Sequence, residues 1–158
     1  MAIYMKYGDI AGEVTAKGYE GRLECTSANF GTSRPSSVAS GSGQGKRHTD
    51  ACSVDDLDVS RNGDKATPLL FNQSCGGTEQ PCWVEFVKTD TGNLVTWLKL
   101  VLKNCLITSF SVDGQDGAVS ESMKINFTEI EVIYTSTDEG GKEASTKGKF
   151  NVATAVVG

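Results

Sequence analysis

The sequence predicts a mainly β, barrel-like domain with one short helix. Three observations carry this: long apolar-rich segments with a side-chain period of two, repeated one-residue slips in that period, and a single good helix start at Thr67 and Pro68. Slips of this kind bend strands, and bent strands curl into barrels more readily than into flat sheets.

The rest of the chain is organised around Trp97 to Tyr134. Leu98, Leu100, Leu102, Leu106, Phe110 and Val112 share one parity, which predicts one strand face, with Asn104 and Thr108 as polar exceptions. Val119, Met123, Ile125 and Phe127 then hold the odd parity, and Ile130, Val132 and Tyr134 the even one. A β-bulge near Thr128 and Glu129 would make that slip without breaking the strand. Asp113 to Gly117, with two Asp-Gly pairs, joins the segments as a long hairpin. Such a hairpin cannot bury its apolar face alone, so the remaining chain must close over it.

In chain order, Ile3 to Tyr7 reads as a short strand and Gly8 to Gly12 as a turn. Tyr19 to Arg34 carries a slip between Cys25 and Ala28. Ser33 to Lys46 is rich in Gly and Ser, ends in Lys46, Arg47 and His48, and reads as a long exposed loop. Thr49 to Ser60 is a strand that changes phase at Asp55 and Asp56. Thr67 is expected as a hydroxyl N-cap with Pro68 at the first helical position, Leu69, Leu70 and Phe71 making apolar contact, and Gly76 and Gly77 stopping the helix after about two turns. Cys82 to Thr89 is a strand and Asp90 to Asn93 a turn. Thr135 to Lys147 is expected to be a mobile polar loop, and Phe150 to Val157 the last strand.

Composition excludes several functions. The chain has 158 residues, 38% hydrophobic and 22% charged, a length that fits one domain, 1–158, with a real core. A formal net charge of −5 argues against nucleic acid or an anionic membrane as a general partner. No apolar run approaches the roughly 20 residues that span a bilayer. Met1 to Gly8 has no basic segment before an apolar stretch, so no cleaved signal is expected and folding is expected in the cytosol. The five cysteines, Cys25, Cys52, Cys75, Cys82 and Cys105, are widely spaced and accompanied by one histidine, which favours buried thiols over a metal site. A Cys75–Cys82 bridge would need an oxidising compartment.

Sites of chemistry are weak. Gly41 to Arg47 lacks the glycine and hydroxyl positions of a phosphate-binding loop, and no helix follows it. Asp58 to Gly63 resembles half of a calcium loop, but Leu69 stands where a bidentate Glu is required. His48 lies beside a basic loop with no nucleophile motif, and Glu129 with Glu131 has the spacing of a solvated strand face. Trp83 and Trp97 head apolar strands and read as core or interface. Asn72 to Ser74 and Asn126 to Thr128 fit the glycosylation pattern by chance. No cofactor and no enzyme activity is called for.

Four segments, however, resemble a known family in order along nearly the whole chain. Tyr4 to Gly21 resembles the opening of haemolysin-coregulated proteins (Hcp), the tube subunits of bacterial type VI secretion. Asp64 to Leu69 is similar to that family's helix start, and Leu102 to Val112 with Glu121 to Tyr134 to its late hairpin. The resemblance implies a closed β-barrel of two sheets with a helix on its side, six copies in a ring, and rings stacked into a tube. It further implies a contractile sheath and a spike as partners, expulsion from the cell, and small effectors held in the lumen.

Association is then the physics asked of the residues. Trp97, Val101 and Ile107, of minority parity in the long hairpin, are the candidates for a second, intersubunit face. Arg34, Lys46 and Arg47 form the basic element best placed to reach a neighbouring ring, whose six copies carry roughly −30 formal charges. Five cysteines are many for such a subunit and leave open a specialised paralogue. A phage-type tail-tube protein and a lectin-like binding module share the strand pattern and remain alternatives.

Overall fold

A computed structural model describes residues 1–38, 47–49 and 51–158, with only the backbone described at residues 38 and 47–49. The elements in chain order are β1 (Ala2–Tyr7), β2 (Leu23–Cys25), β3 (Ser27–Asn29), β4 (Thr32–Ser33), β5 (Ser36–Val38), β6 (Arg47–Thr49), β7 (Ser53–Val54) and β8 (Leu57–Asn62). There follow α1 (Thr67–Gly76), β9 (Gln80–Asp90), β10 (Asn93–Gln115), β11 (Ala118–Asn126), β12 (Glu129–Thr137), β13 (Glu143–Asn151) and β14 (Val156–Val157).

The 23-residue strand β10 belongs to two sheets. Its first half lies between β9 and β12, and the pairing continues to β1 and β2 on one side and to β13 and β14 on the other. Its second half pairs with β11, then β8, then β3. β2 and β3 are contiguous in sequence but pair with β1 and β8 respectively, the chain crossing at Thr26, whose amide donates to the Ser60 carbonyl at 2.8 Å. The expected slip between Cys25 and Ala28 is this crossing.

Between the sheets lies one core, built from Met5, Tyr7, Leu23, Leu57, Val84, Leu100, Leu102, Met123 and Ile125 among others. Each such side chain contributes on the order of 1.5–3 kcal/mol by leaving water. The Tyr7 hydroxyl, carried into this core, donates to the Cys105 carbonyl at 3.1 Å, as a buried phenol must.

The single face expected for Leu98 to Val112 is not formed. Register shifts across Lys103 and Asn104, and again at Thr108, reverse the parity twice. Cys105 and Ile107 enter the core, Leu106 turns outward at 37% exposure, and Phe110 packs against the core again. Asn104 makes the first turn with φ 53°, a conformation asparagine tolerates better than other non-glycine residues. The partner slip near Thr128 breaks the strand: β11 ends at Asn126 and β12 starts at Glu129.

Other expectations are corrected by pairing that apolar alternation does not reveal. The segment read as a loop from Ser33 to Lys46 holds described paired ends, β4 with β7 and β5 with β6. The strand expected over Thr49 to Ser60 is divided between β6, β7 and β8. The polar stretch Thr135 to Lys147 is a hairpin of β12 and β13, tied at its turn by Asp138 Oδ1, which accepts from the Gly140 and Lys142 amides at 2.9 and 2.8 Å. Phe150 therefore belongs to β13, and the last strand is only β14.

Thr67 is the first helical residue and not the cap. Ala66 occupies the cap position, and the Thr67 hydroxyl instead accepts from the Asp64 amide at 3.1 Å while Asp64 Oδ1 accepts from Ala66 N at 2.8 Å. The helix runs ten residues, buries Leu70, and leaves Leu69 and Phe71 largely exposed.

Candidate assembly surface

The outer face of the larger sheet follows from the register. One cross-strand row runs Lys6, Trp83, Val101, Glu131 and Lys149; the next runs Tyr4, Glu85, Lys99, Ile133 and Lys147. Trp83, Val101 and Ile133 are half-buried and form an apolar centre inside a lattice of charge. Lys6 Nζ lies 5.5 Å from the Trp83 ring centroid, a cation–π contact. Glu85 is 7% exposed and sits between Lys99 at 3.2 Å and Arg22 at 3.6 Å. Glu129, in the adjoining row, takes Lys149 at 2.5 Å and Lys103 at 3.7 Å. An apolar centre with a charged rim is the composition of a protein contact surface.

Of the three residues expected on this face, only Val101 is there. Ile107 is 5% exposed and lies in the core, because the register shift across Lys103 and Asn104 reverses its direction. Trp97 is the extra residue of a bulge between Thr96 and Leu98. It packs 6.1 Å from Phe86 and 6.0 Å from Tyr134, residues that share the core-facing parity. Arg34 is exposed; Lys46 lies outside the described residues, and Arg47 opens β6 with only its backbone described.

The outer face of the smaller sheet is different. Ser60, Ser122 and Ser111 form one row, and Asn62, Ser120 and Asp113 the next. The hydroxyls of Ser111 and Ser122 are 2.7 Å apart. It is a wall of short polar side chains.

A buried ion cluster escaped sequence reading. Arg61 and Glu121 are directly opposed on β8 and β11, 1% and 2% exposed, and hydrogen-bonded to each other. Asp64 closes on Arg61 at 2.6 Å and the Glu24 carbonyl accepts from Arg61 Nε at 3.4 Å. Burial alone would lower the Arg61 pKa, but the hydrogen bonds it donates to Asp64 and Glu121 raise it on balance. The signal was present: Arg61 continues the parity of Leu57 and Val59, and Glu121 that of Met123 and Ile125. Beside the cluster a cleft of about 250 Å³ opens between Glu13, Glu24 and Asp64.

The remaining motifs take structural places. Asp58 to Asn62, the half calcium loop, is extended strand β8. Residues 41–46 of the glycine-rich motif lie outside the described residues, and His48 has a described backbone only. All five cysteines are free thiols: Cys25, Cys82 and Cys105 buried, Cys52 half-buried, Cys75 exposed. Burial pushes the Cys25 thiol up to about 12 against the pull of Arg61. A hydrogen bond to Cys105, with burial, raises Cys82. Among the described residues no helix is long and apolar enough to cross a membrane.

Comparison with known proteins agrees with this architecture. A family profile described as "Type VI secretion system effector, Hcp" matches residues 4–134. No curated protein sequence matches the chain. Among solved structures, one titled as a type six secretion system protein superposes with TM-score 0.86 at 17% identity, covering 99% of each chain. Hcp1 from Salmonella typhimurium gives 0.79 at 21% identity, covering 99% of this chain and 97% of its own. A type VI secretion system effector from Yersinia pestis gives 0.72 at 16%, covering 95% and 99%.

Proposed function

The chain belongs to the Hcp family of type VI secretion proteins, and from that premise we propose that it is a structural tube subunit. Six copies close into a ring, rings stack inside a contractile sheath beneath a spike, and the assembly passes from the cytoplasm to the outside on firing. The observation that carries this is the outer face centred on Trp83, Val101 and Ile133, an apolar patch framed by charge and suited to contact with protein. A closed barrel is supported by the continuity of β2, the edge strand paired with β1 in one sheet, with β3, paired with β8 in the other. The serine-rich outer face of the smaller sheet suits a lumen, since short polar side chains stay hydrated and leave passing effectors free to bind weakly. The basic segment with Arg34, Lys46 and Arg47 is the contact offered to the next ring.

Sizing of the purified protein tests the reading. The expected particle has about six times the 16.8 kDa chain mass and sixfold rings in electron micrographs. A stable monomer at high concentration, with no annular particles, overturns it; a monomer that retains carbohydrate columns would favour a lectin-like module.

A further inference from the structure

The larger sheet ends on β13, and most of that edge is bare. β14 covers only its last residues: the Lys149 amide donates to the Gly158 carbonyl at 2.9 Å, the Gly158 amide donates to the Lys149 carbonyl at 2.8 Å, and Phe150 and Asn151 stand opposite Val157 and Val156. The ladder from β12 to β13 runs without a register shift from Asn151 to Glu143. Lys147, Ser145 and Glu143 therefore share the parity of Lys149 and turn their amides and carbonyls outward. Among the described residues nothing pairs with them, and Glu143 to Lys149 are exposed throughout. Neither Glu143 nor Lys147 has an ion-pair partner among the described residues.

Such an edge accepts a further antiparallel strand, as β14 already demonstrates. An exposed lysine usually guards it, because an incoming apolar strand would leave the charge unmatched. Here the strand is matched to itself. With a second copy laid antiparallel about Ser145, each Glu143 falls opposite the other copy's Lys147, and each Ala144 opposite the other copy's Thr146. Outward-facing residues then oppose one another and exchange backbone bonds, while the opposite charges lie side by side on one face. A slip of two residues one way sets Glu143 against Ser145 and carries Lys147 past the strand to Gly141. The opposite slip drives Glu143 onto Lys149, where β14 already sits. We propose that residues 143–147 are a self-pairing edge, which joins two copies of this chain through an antiparallel contact centred on Ser145. The contact is isologous, so it does not serve between neighbours in a head-to-tail ring and joins copies of separate particles. It stands independently of the ring reading. One edge contact is small and therefore transient between single chains.

Covalent capture tests it in the full chain. Cys52→Ser and Cys75→Ser remove the thiols that are not buried, and Ser145→Cys places one at the centre of the contact. Opposed Cα atoms in such a ladder lie about 5.5 Å apart, within the span of about 4.4–6.8 Å that a disulfide bridges. Oxidised glutathione is expected to give a dimer linked 145 to 145. Adding Glu143→Lys or Lys147→Glu alone sets like charges opposite each other and should slow the linking about tenfold; adding both restores the match and the rate. Glu143→Cys in place of Ser145→Cys should stay unlinked, because those two positions lie about 13 Å apart along the ladder. Absence of the 145–145 dimer, a rate indifferent to the charge changes, or equally fast linking through position 143 overturns the proposal. Sizing of the same sample separates the two readings: rings without the linked dimer remove the edge pairing alone, whereas linked dimers without rings leave it standing and remove the tube subunit.

Discussion

The side-chain amide of Asn104 donates to the Thr128 hydroxyl at 2.9 Å, tying the register shift within β10 to the break between β11 and β12 at the same corner. The Thr128 amide also donates to the Lys103 carbonyl at 3.1 Å, and its carbonyl accepts from Val152 N at 2.7 Å. Both long strands thus bend at one place, from the larger sheet into the smaller, and the core lies inside that bend.

Asn104 holds φ 53°, where a Cβ-branched residue is strained by about 1–2 kcal/mol. Asn104→Val is expected to cost about 2–3 kcal/mol, the strain plus the lost hydrogen bond, and Asn104→Gly clearly less. Urea unfolding at fixed protein concentration measures both; equal losses would show that the backbone conformation at this corner does not matter.

Arg61 and Glu121 form an ion pair in which neither partner reaches water. Arg61→Ala leaves the Glu121 carboxylate buried beside nothing cationic and is expected to cost about 3–5 kcal/mol. Replacing both, Arg61→Met with Glu121→Leu, should restore most of that. A double variant as unstable as the single one would mean that Asp64 and the Glu24 carbonyl, and not the pair, hold this end of the core.

The thiols should divide by burial. Cys75 is exposed, Cys52 half-buried, and Cys25, Cys82 and Cys105 enclosed, so an aromatic disulfide reagent is expected to titrate Cys75 first, Cys52 more slowly, and the rest only on unfolding. Stability should also decline on the alkaline side. Cys25 is raised from 9.0 to about 12 by burial, and the Tyr7 phenol is raised from 10.0, again chiefly by burial. Above pH 9 the unfolded chain has released protons that the native chain still holds, so the unfolding free energy falls with pH. The slope is about 1.4 kcal/mol per pH unit for each group in its window. Denaturant midpoints unchanged between pH 8 and about 11 would remove these groups from the balance.

Val101 lies half-buried on the outer face, paired across the strands with Trp83 and Glu131. Val101→Glu is expected to change chain stability by about 1 kcal/mol or less while converting rings to smaller species on a sizing column. Intact rings would assign this face to solvent or to another partner.

The parts of the fold read correctly from the residues are those with local causes. Asp116 and Gly117 turn the long hairpin with φ 52° and 79°, the rest of the expected connection, Asp113 to Gln115, staying in β10, and Thr91 and Gly92 turn the preceding one with φ 45° and 83°; Asp-Gly and Gly92 announce these turns, whereas positive φ at the β-branched Thr91 has no signal in its type. Pro68 and the two glycines frame α1. Thr26 marks a phase slip that the apolar positions on either side disclose.

What the residues determined alone was that strands alternate, that they bend, and that one helix lies among them, since periodicity and turn chemistry act over a few positions. Only tertiary structure decided the direction of each bend. The register shift across Lys103–Asn104 decides that Ile107 goes in and Leu106 goes out, the one at Thr108 turns Phe110 back to the core, and a count of parity cannot see an extra residue until its partner strand is present. The same holds for the hairpin of β12 and β13. Its pairing is made by backbone hydrogen bonds at an available strand edge, and those bonds have no side-chain signature. Arg61 and Glu121 meet across 60 residues because folding brings two lone charges, each on an apolar parity, to the same end of one core.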